Sequence, residues 1–488
     1  MNYIDTMKVR TCILFLLCLY AVAPQMLLGQ QEEVSQLFRQ SEAKKTAQYA
    51  FAMYDMSGQQ DVVRYHVDAP MIPASVTKLF TTSLALHTLP NYPYVTEFSI
   101  TGPIKNGILQ GDLVIKGSGD PTIYSKYFPE DSIRFKDALL TALMTRGVVA
   151  IEGAVRVDAS AYDKEAFNPL WDLSDRGEWY ANGVYGFNIF DNWIDIFLQT
   201  GKTPRSVKIL KTYPRDTGVE FVNMLTTAKH YGSAEGDGLP LVNKRILKGK
   251  LPAQRRQCLL SVDLPNPPQF AARYIAQLLE RAGIHVARGT DYSFEPVAPN
   301  KNNLLIGQYF SPSVVDICRA CNVHSINHYA EALLRRSTVG ESMEYSHIST
   351  RQALRSAKDF FCQKGLHFSS SSAWVDGSGL SRKNRFTVQD LMQLLQFMNN
   401  GNKAIASSFI ASLPKVGYEG SVKHLFRGEP FTAYFKSGTM RGIKAYAGYL
   451  TYKEKQYAVV FMANDIRSTA KVIQVFRQAL HLSLGIVE

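Results

Sequence analysis

Apolar and polar positions change period along the chain. The segments Ala47 to Asp55 and Val62 to Val67, rich in apolar residues on either side of Ser57-Gly58, predict a β-hairpin. Past Pro73, the helical spacing of Leu79, Phe80, Leu84 and Leu86 predicts a buried helix with Ser75 in its first turn. A second helix with a polar start is predicted where Ser325-Ile326-Asn327 runs into Tyr329, Ala330, Leu333 and Leu334. Near the C-terminus, Phe431 to Thr439, Ile443 to Tyr452 and Tyr457 to Ala463 carry β-branched and aromatic residues and predict a meander. Val472, Val475, Phe476 and Leu480 then mark a terminal helix. Between about Phe98 and Lys301 the pattern breaks into short strands, such as Gly107 to Lys116 and Ala150 to Asp158, punctuated by Gly and Pro. The two ends therefore make one α/β (α+β) unit over 30–97 and 302–488, interrupted by an inserted β-rich domain at 98–301.

With 488 residues, 46% of them hydrophobic, the chain has ample core for two or three domains. Lys8 and Arg10 precede an apolar stretch from Cys12 to about Leu28, and Gly29-Gln30 offers a cleavage region, so 1–29 is expected to be a signal peptide. Pro24 and Gln25 interrupt that stretch, which argues against an uncleaved membrane anchor. The net charge of +12 barely changes on removal of this leader. No nucleic-acid recognition motif accompanies it and the basic residues are scattered, so an anionic wall polymer or peripheral membrane contact suits an exported protein better. The periplasm is the expected compartment.

Four cysteines follow the leader, Cys258, Cys318, Cys321 and Cys362. An even count in an oxidising compartment permits disulfides without assigning them. Cys318-Arg319-Ala320-Cys321 lacks a second ligand pair and precedes Ser325 on one predicted helix, so buried structural thiols, with no metal, are expected.

The chemistry sits in three short patterns in fixed order: Ser75-Val76-Thr77-Lys78, Ser325-Ile326-Asn327 and Lys436-Ser437-Gly438-Thr439. A Ser-x-x-Lys pattern arises roughly twice by chance in a chain of this length, and Ser41 to Lys44 and Ser412 to Lys415 also fit. Pro414 breaks the turn that Ser412 needs, and Ser41 lies in a polar entry segment, which leaves Ser75 as the nucleophile. Taken singly, Lys-Ser-Gly reads as a surface turn, Ser-x-Asn as a helix cap, and Asp376 to Arg382 as a tight loop.

A serine hydroxyl needs a base within hydrogen-bond reach, and helical i, i+3 spacing brings the Lys78 amine beside Ser75. Burial next to a second cation, for which Lys436 is the candidate, lowers a lysine pKa enough for it to act as that base. Ser325 is placed to relay the proton to the leaving amine, and Asn327 to orient Lys78 and a substrate carbonyl. The Ser75 and Thr439 N–H groups are the expected oxyanion hole. Gly438 lets the strand approach closely, while Lys436 with the Ser437 and Thr439 hydroxyls suits a substrate carboxylate.

Together with Gly117-Ser118-Gly119-Asp120-Pro121-Thr122, Tyr329-Ala330-Glu331 and Asp376 to Arg382, these motifs resemble the class C low-molecular-weight penicillin-binding proteins. Those are the D-alanyl-D-alanine carboxypeptidases and endopeptidases of peptidase family S13. The resemblance spans nearly all of the mature chain. Lys-Ser-Gly in place of Lys-Thr-Gly and Cys321-Asn322-Val323-His324 before Ser325 depart from the pattern. The resemblance implies a serine β-lactamase/DD-peptidase-like transpeptidase fold, an insertion that in relatives often holds a nested third domain, and peptidoglycan stem peptides as substrate. It also implies β-lactams as inhibitors and no cofactor, and it matches Asp158 to a position where relatives contact the diamino-acid side chain of the stem. A strand-end turn is the other reading of Asp158. The rival functions are a serine β-lactamase and a non-catalytic wall-binding protein. Carboxypeptidase against endopeptidase dominance, and the oligomeric state, are left open.

Overall fold

A computed structural model describes residues 29–229, 232–297, 303–339 and 346–486. The expected leader, except for Gly29, lies outside the described residues. The chain divides into two compact units, one holding the N-terminal residues through Val76, Lys364–Trp374 and the stretch from Asn384, the other Thr77–Gln363 and Val375–Lys383.

The first unit is built on a five-stranded antiparallel sheet in the order Thr432–Met440, Ile443–Tyr452, Lys455–Asn464, Gln48–Asp55, Gln60–Tyr65. Period-two alternation sends Tyr49, Phe51 and Met53 to one face, where they meet Phe38 of a helix over 29–43 and Phe476 of the terminal helix Thr469–Leu484. The Phe461 and Phe476 rings stack there with centroids 4.4 Å apart. Each such buried phenylalanine contributes about 1.5–3 kcal/mol. The helix Val388–Asn400 covers the opposite face, tied down by Tyr449 Oη donating to Leu395 O at 2.7 Å. Pairing Gln48–Asp55 with Lys455–Asn464 joins the two ends of the chain in one sheet and leaves the strand that carries Lys436 at its edge.

The second unit contains the buried helix Lys78–Thr88, the helices Val314–His324 and Asn327–Ser337, and four sheets drawn from residues 95–310. One of those sheets is five-stranded, ordered Thr290–Ser293, Val155–Asp158, Leu113–Lys116, Val95–Ile100, Leu304–Phe310. Phe98, Leu113, Val157, Phe135 and Ile275 belong to one core under it. All of 98–301 that is described belongs to this unit.

One turn in this unit runs against backbone preference. Phe190, Asp191 and Asn192 have φ of 52°, 54° and 54°, and Tyr124 has φ of 56°. Left-handed backbone costs an L-residue about 1–2 kcal/mol, so the surroundings must over-determine it. They do: the Asn192 side chain accepts from Ile189 N and donates to Gly183 O and Asn188 Oδ1, while Asn182 Nδ2 donates to Asp191 O.

Candidate active site

Ser75 lies in a 3-10 turn, Ala74–Thr77, that precedes the helix, a tighter start than the α-turn its spacing predicts. Ala74, with φ of 48°, turns the chain into it. From Pro73 to Leu86 every residue is buried except Ser75, so this segment presents a single hydroxyl to solvent.

In the first unit, the edge strand meets that turn. A Cβ added to Gly438 would lie 2.4 Å from Pro73 O and 3.2 Å from Ser75 N. Both are backbone atoms that cannot rotate away, which is the physical reason for glycine here. Gly438→Ala is therefore expected to lose about 1–3 kcal/mol of stability and to slow acylation of Ser75 at least tenfold, read from thermal melts and adduct formation. Lys436 is fully buried and donates to Ser437 O at 2.8 Å, and the Ser437 and Ser421 hydroxyls are 2.6 Å apart. Thr439 is exposed, and its hydroxyl accepts from Lys444 Nζ at 2.7 Å across the hairpin. Lys444 is a second strand lysine that no motif signals.

The second unit holds the base. Lys78, three residues beyond Ser75, is fully buried and donates to Asn327 Oδ1 at 2.6 Å and to Ser378 O at 2.7 Å. Burial brings its pKa down to about 8, against the opposing pull of Cys321, Asp376 and Glu331. Asn327 is fixed in turn by its Nδ2 donating to Tyr180 O at 2.7 Å, which aims the amide oxygen at the lysine. Ser325 ends the helix Val314–His324 in left-handed backbone, φ 58° and ψ 41°, as the C-terminal cap. It and Asn327 are half-buried on either side of buried Ile326.

Sequence reasoning named Asn327 beside Lys78 but missed the loop that supplies its second acceptor. The segment Asp376 to Arg382, which alone reads as a tight loop, supplies the Ser378 carbonyl. Glu331, one turn beyond Asn327, accepts Ser378 N at 2.8 Å and Gly377 N at 3.1 Å. Asp376 accepts Gly379 N, Ser381 N and Trp171 Nε1 at 2.7, 2.6 and 2.9 Å. Thr81, on the Lys78 helix, donates to Gly377 O at 2.7 Å. Burial first, then repulsion from Asp376, raises the Glu331 pKa to about 7. The available signal was Tyr329-Ala330-Glu331: an acid amid apolar residues of a buried helix has to find donors.

Asp158 is placed otherwise. It is 2% exposed, and its two oxygens accept from Ser160 N at 2.9 Å and Val297 N at 3.0 Å. Its carboxylate closes a strand-end turn. Cys318 and Cys321 are buried on one helix, as expected, with Cys318 Sγ lying 3.8 Å from Thr82 O.

Known proteins share this fold. The model of the D-Ala-D-Ala carboxypeptidase 3 (S13) family matches residues 30–481. The D-alanyl-D-alanine carboxypeptidase DacB of Haemophilus influenzae is 22% identical over 414 residues, 82% of this chain and 82% of that protein. A D-alanyl-D-alanine carboxypeptidase of an Actinomadura species is 24% identical over 420 residues, 81% of this chain and 73% of its own. The crystal structure of penicillin binding protein 4 (dacB) from Haemophilus influenzae superposes with a TM-score of 0.77 at 22% identity, covering 92% of this chain and 98% of that one. That likeness bears out the α/β DD-peptidase-like fold class. With a family match running from residue 30 to residue 481, this chain belongs to the D-Ala-D-Ala carboxypeptidase 3 (S13) family.

Proposed function

We propose that the chain is a serine D-Ala-D-Ala carboxypeptidase and DD-endopeptidase acting on peptidoglycan stem peptides through a Ser75 acyl-enzyme, and that β-lactams acylate the same serine. The observation that carries this reading is Lys78: a fully buried amine with a pKa near 8, held by an amide and a main-chain oxygen. The neutral fraction of Lys78 takes the Ser75 proton as Oγ attacks the D-Ala-D-Ala amide or the D-Ala-diamino acid crosslink. Ser325 passes a proton to the departing amine. Water then attacks the ester and releases Ser75. Lys436, Ser437 and Thr439 hold the substrate carboxylate, as charge-assisted bonds favour. The segment 98–301 acts as the inserted domain, and export to the periplasm follows from the basic and apolar leader. Among the described residues, no helix is long and apolar enough to cross a membrane.

The Lys78 clamp, in which Asn327 is itself held by Tyr180 O and the Ser378 amide by Glu331, weighs against a non-catalytic wall-binding protein. Intact-protein mass spectrometry after exposure to benzylpenicillin tests the proposal. One adduct per chain, mapping to the peptide that contains Ser75 and persisting for minutes, is the expected result. Labelling at Ser41 or Ser412 would overturn the assignment of the nucleophile, and rapid turnover of the drug without an accumulating adduct would favour the β-lactamase.

A further inference from the structure

The left-handed turn at Phe190 serves a cleft far in sequence from the three motifs. The cleft, about 690 Å³, lies inside the 98–301 segment, between the loop at Tyr124, the strand ending at Tyr213 and the helix Pro267–Arg281. Four aromatic rings frame it in fixed mutual geometry. Tyr124 and Phe190 stack at 5.1 Å and 27°. Tyr274 stands edge-on to both, at 4.8 and 5.0 Å, and Tyr213 edge-on to Phe190 at 5.6 Å. Tyr213 is 55% exposed.

Two of these rings, on Tyr124 and Phe190, are carried on left-handed backbone, where glycine would meet the turn's needs without strain. Phe190 is 6% exposed and belongs to the core, with Tyr124 and Tyr274 packed against it, so Tyr213 is the ring of the four that stands exposed above them. Lys126, Arg215 and Arg281 line the cleft together with Asp216, while Asp137 lies near Tyr124, and Asp191 and Asp195 near Tyr213. The cleft is also tied to the catalytic helix, since the hydroxyl of Ser125, on its wall, accepts from Tyr329 Oη at 2.7 Å two residues beyond Asn327.

The exposed ring of Tyr213 suits the apolar face of a pyranose, the amide of Gln277 suits its hydroxyls, and the Arg215 and Arg281 guanidinium groups suit a carboxylate. We propose that this cleft is a second binding site that takes an acidic pyranoside unit of the wall glycan, separate from the site that cleaves the stem peptide. The choice of a wall glycan rests on the DD-peptidase reading above. The aromatic and cationic lining does not depend on it.

The test is calorimetric titration of the full chain with the disaccharide N-acetylglucosaminyl-N-acetylmuramic acid, which has a free carboxylate and no peptide. A stem tripeptide without sugar forms the second arm. Wild type is expected to bind the disaccharide, more weakly as salt rises. Tyr213→Ala and Arg215→Ala, both at exposed positions, are each expected to weaken binding at least fivefold. Acylation of Ser75 by benzylpenicillin should stay within twofold of wild type in both variants. Absence of disaccharide binding, equal binding by wild type and both variants, or Tyr213-dependent binding of the tripeptide instead of the sugar would each overturn the proposal. Tyr213-dependent disaccharide binding by a chain that never forms the Ser75 adduct would remove the DD-peptidase reading and leave the cleft standing.

Discussion

Lys78→Ala is expected to slow acylation of Ser75 by benzylpenicillin by about 10²–10⁴-fold, the range for losing a positioned general base. It should also abolish the pH dependence that wild type shows. In the proposed mechanism the reactive form is the neutral amine, and with a pKa near 8 only about a tenth of Lys78 is neutral at pH 7. The acylation rate should therefore climb about tenfold per pH unit below 8 and level off above it. Without the amine, the rate should be low and flat through this range. The substitution also strands the oxygens of Asn327 and Ser378 that the ammonium satisfies, so part of any loss could come from a disturbed fold. Adding methylamine separates the two causes, because a small base entering the vacated space restores proton transfer but does not rebuild a misfolded chain. A Lys78→Ala chain that keeps the wild-type pH limb would remove Lys78 from the role of base.

Much of this site is legible in the sequence, because its chemistry uses residue types at short, fixed spacing. Ser75 and Lys78 are three apart, Ser325 and Asn327 two apart, and the strand of Lys436 is marked by its β-branched and aromatic content and by the Met-Arg-Gly turn that follows it. The meander from Thr432 to Asn464 and the hairpin from Gln48 to Tyr65 are likewise found within a few residues of their expected ends, since β-branched and aromatic runs bounded by turn residues mark strands buried on both faces. The acceptor on Ser378 is a different case. It is a main-chain atom 300 residues from Lys78, and no side-chain pattern marks a carbonyl. Glu331 and Asp376 read as ordinary acids until the loop is folded against them.

The left-handed positions were hidden for a related reason. Gly and Asn are the usual signals of positive φ, and Tyr124 and Phe190 give neither. Asp158 shows the converse: its place at the end of a strand is legible, but not that two backbone amides would occupy its oxygens, one of them 139 residues away.

Glu331 offers the second large effect, and a way to tell support of the base from tuning of it. Glu331→Gln keeps the length of the side chain but leaves one acceptor for two amide hydrogens, those of Gly377 and Ser378. A stability loss of about 1–3 kcal/mol is expected from the stranded donor. Because the Ser378 carbonyl then holds Lys78 less firmly, acylation should slow roughly tenfold, the equivalent of about 1.4 kcal/mol. The change also removes a negative charge that favours the Lys78 ammonium, so the midpoint of the pH limb should move below 8. Cys321 and Asp376 also face Lys78, and Arg335 and Asp376 face Glu331, and all of these stay in place, so the sign of the shift belongs to Glu331. Glu331→Asp makes the opposite exchange: it keeps the charge and gives up the reach to the loop. It should slow acylation while leaving the midpoint near that of wild type. If the midpoint is unmoved in Glu331→Gln although the rate falls, the carboxylate only shapes the loop, and the basicity of Lys78 is set by burial and the remaining acids.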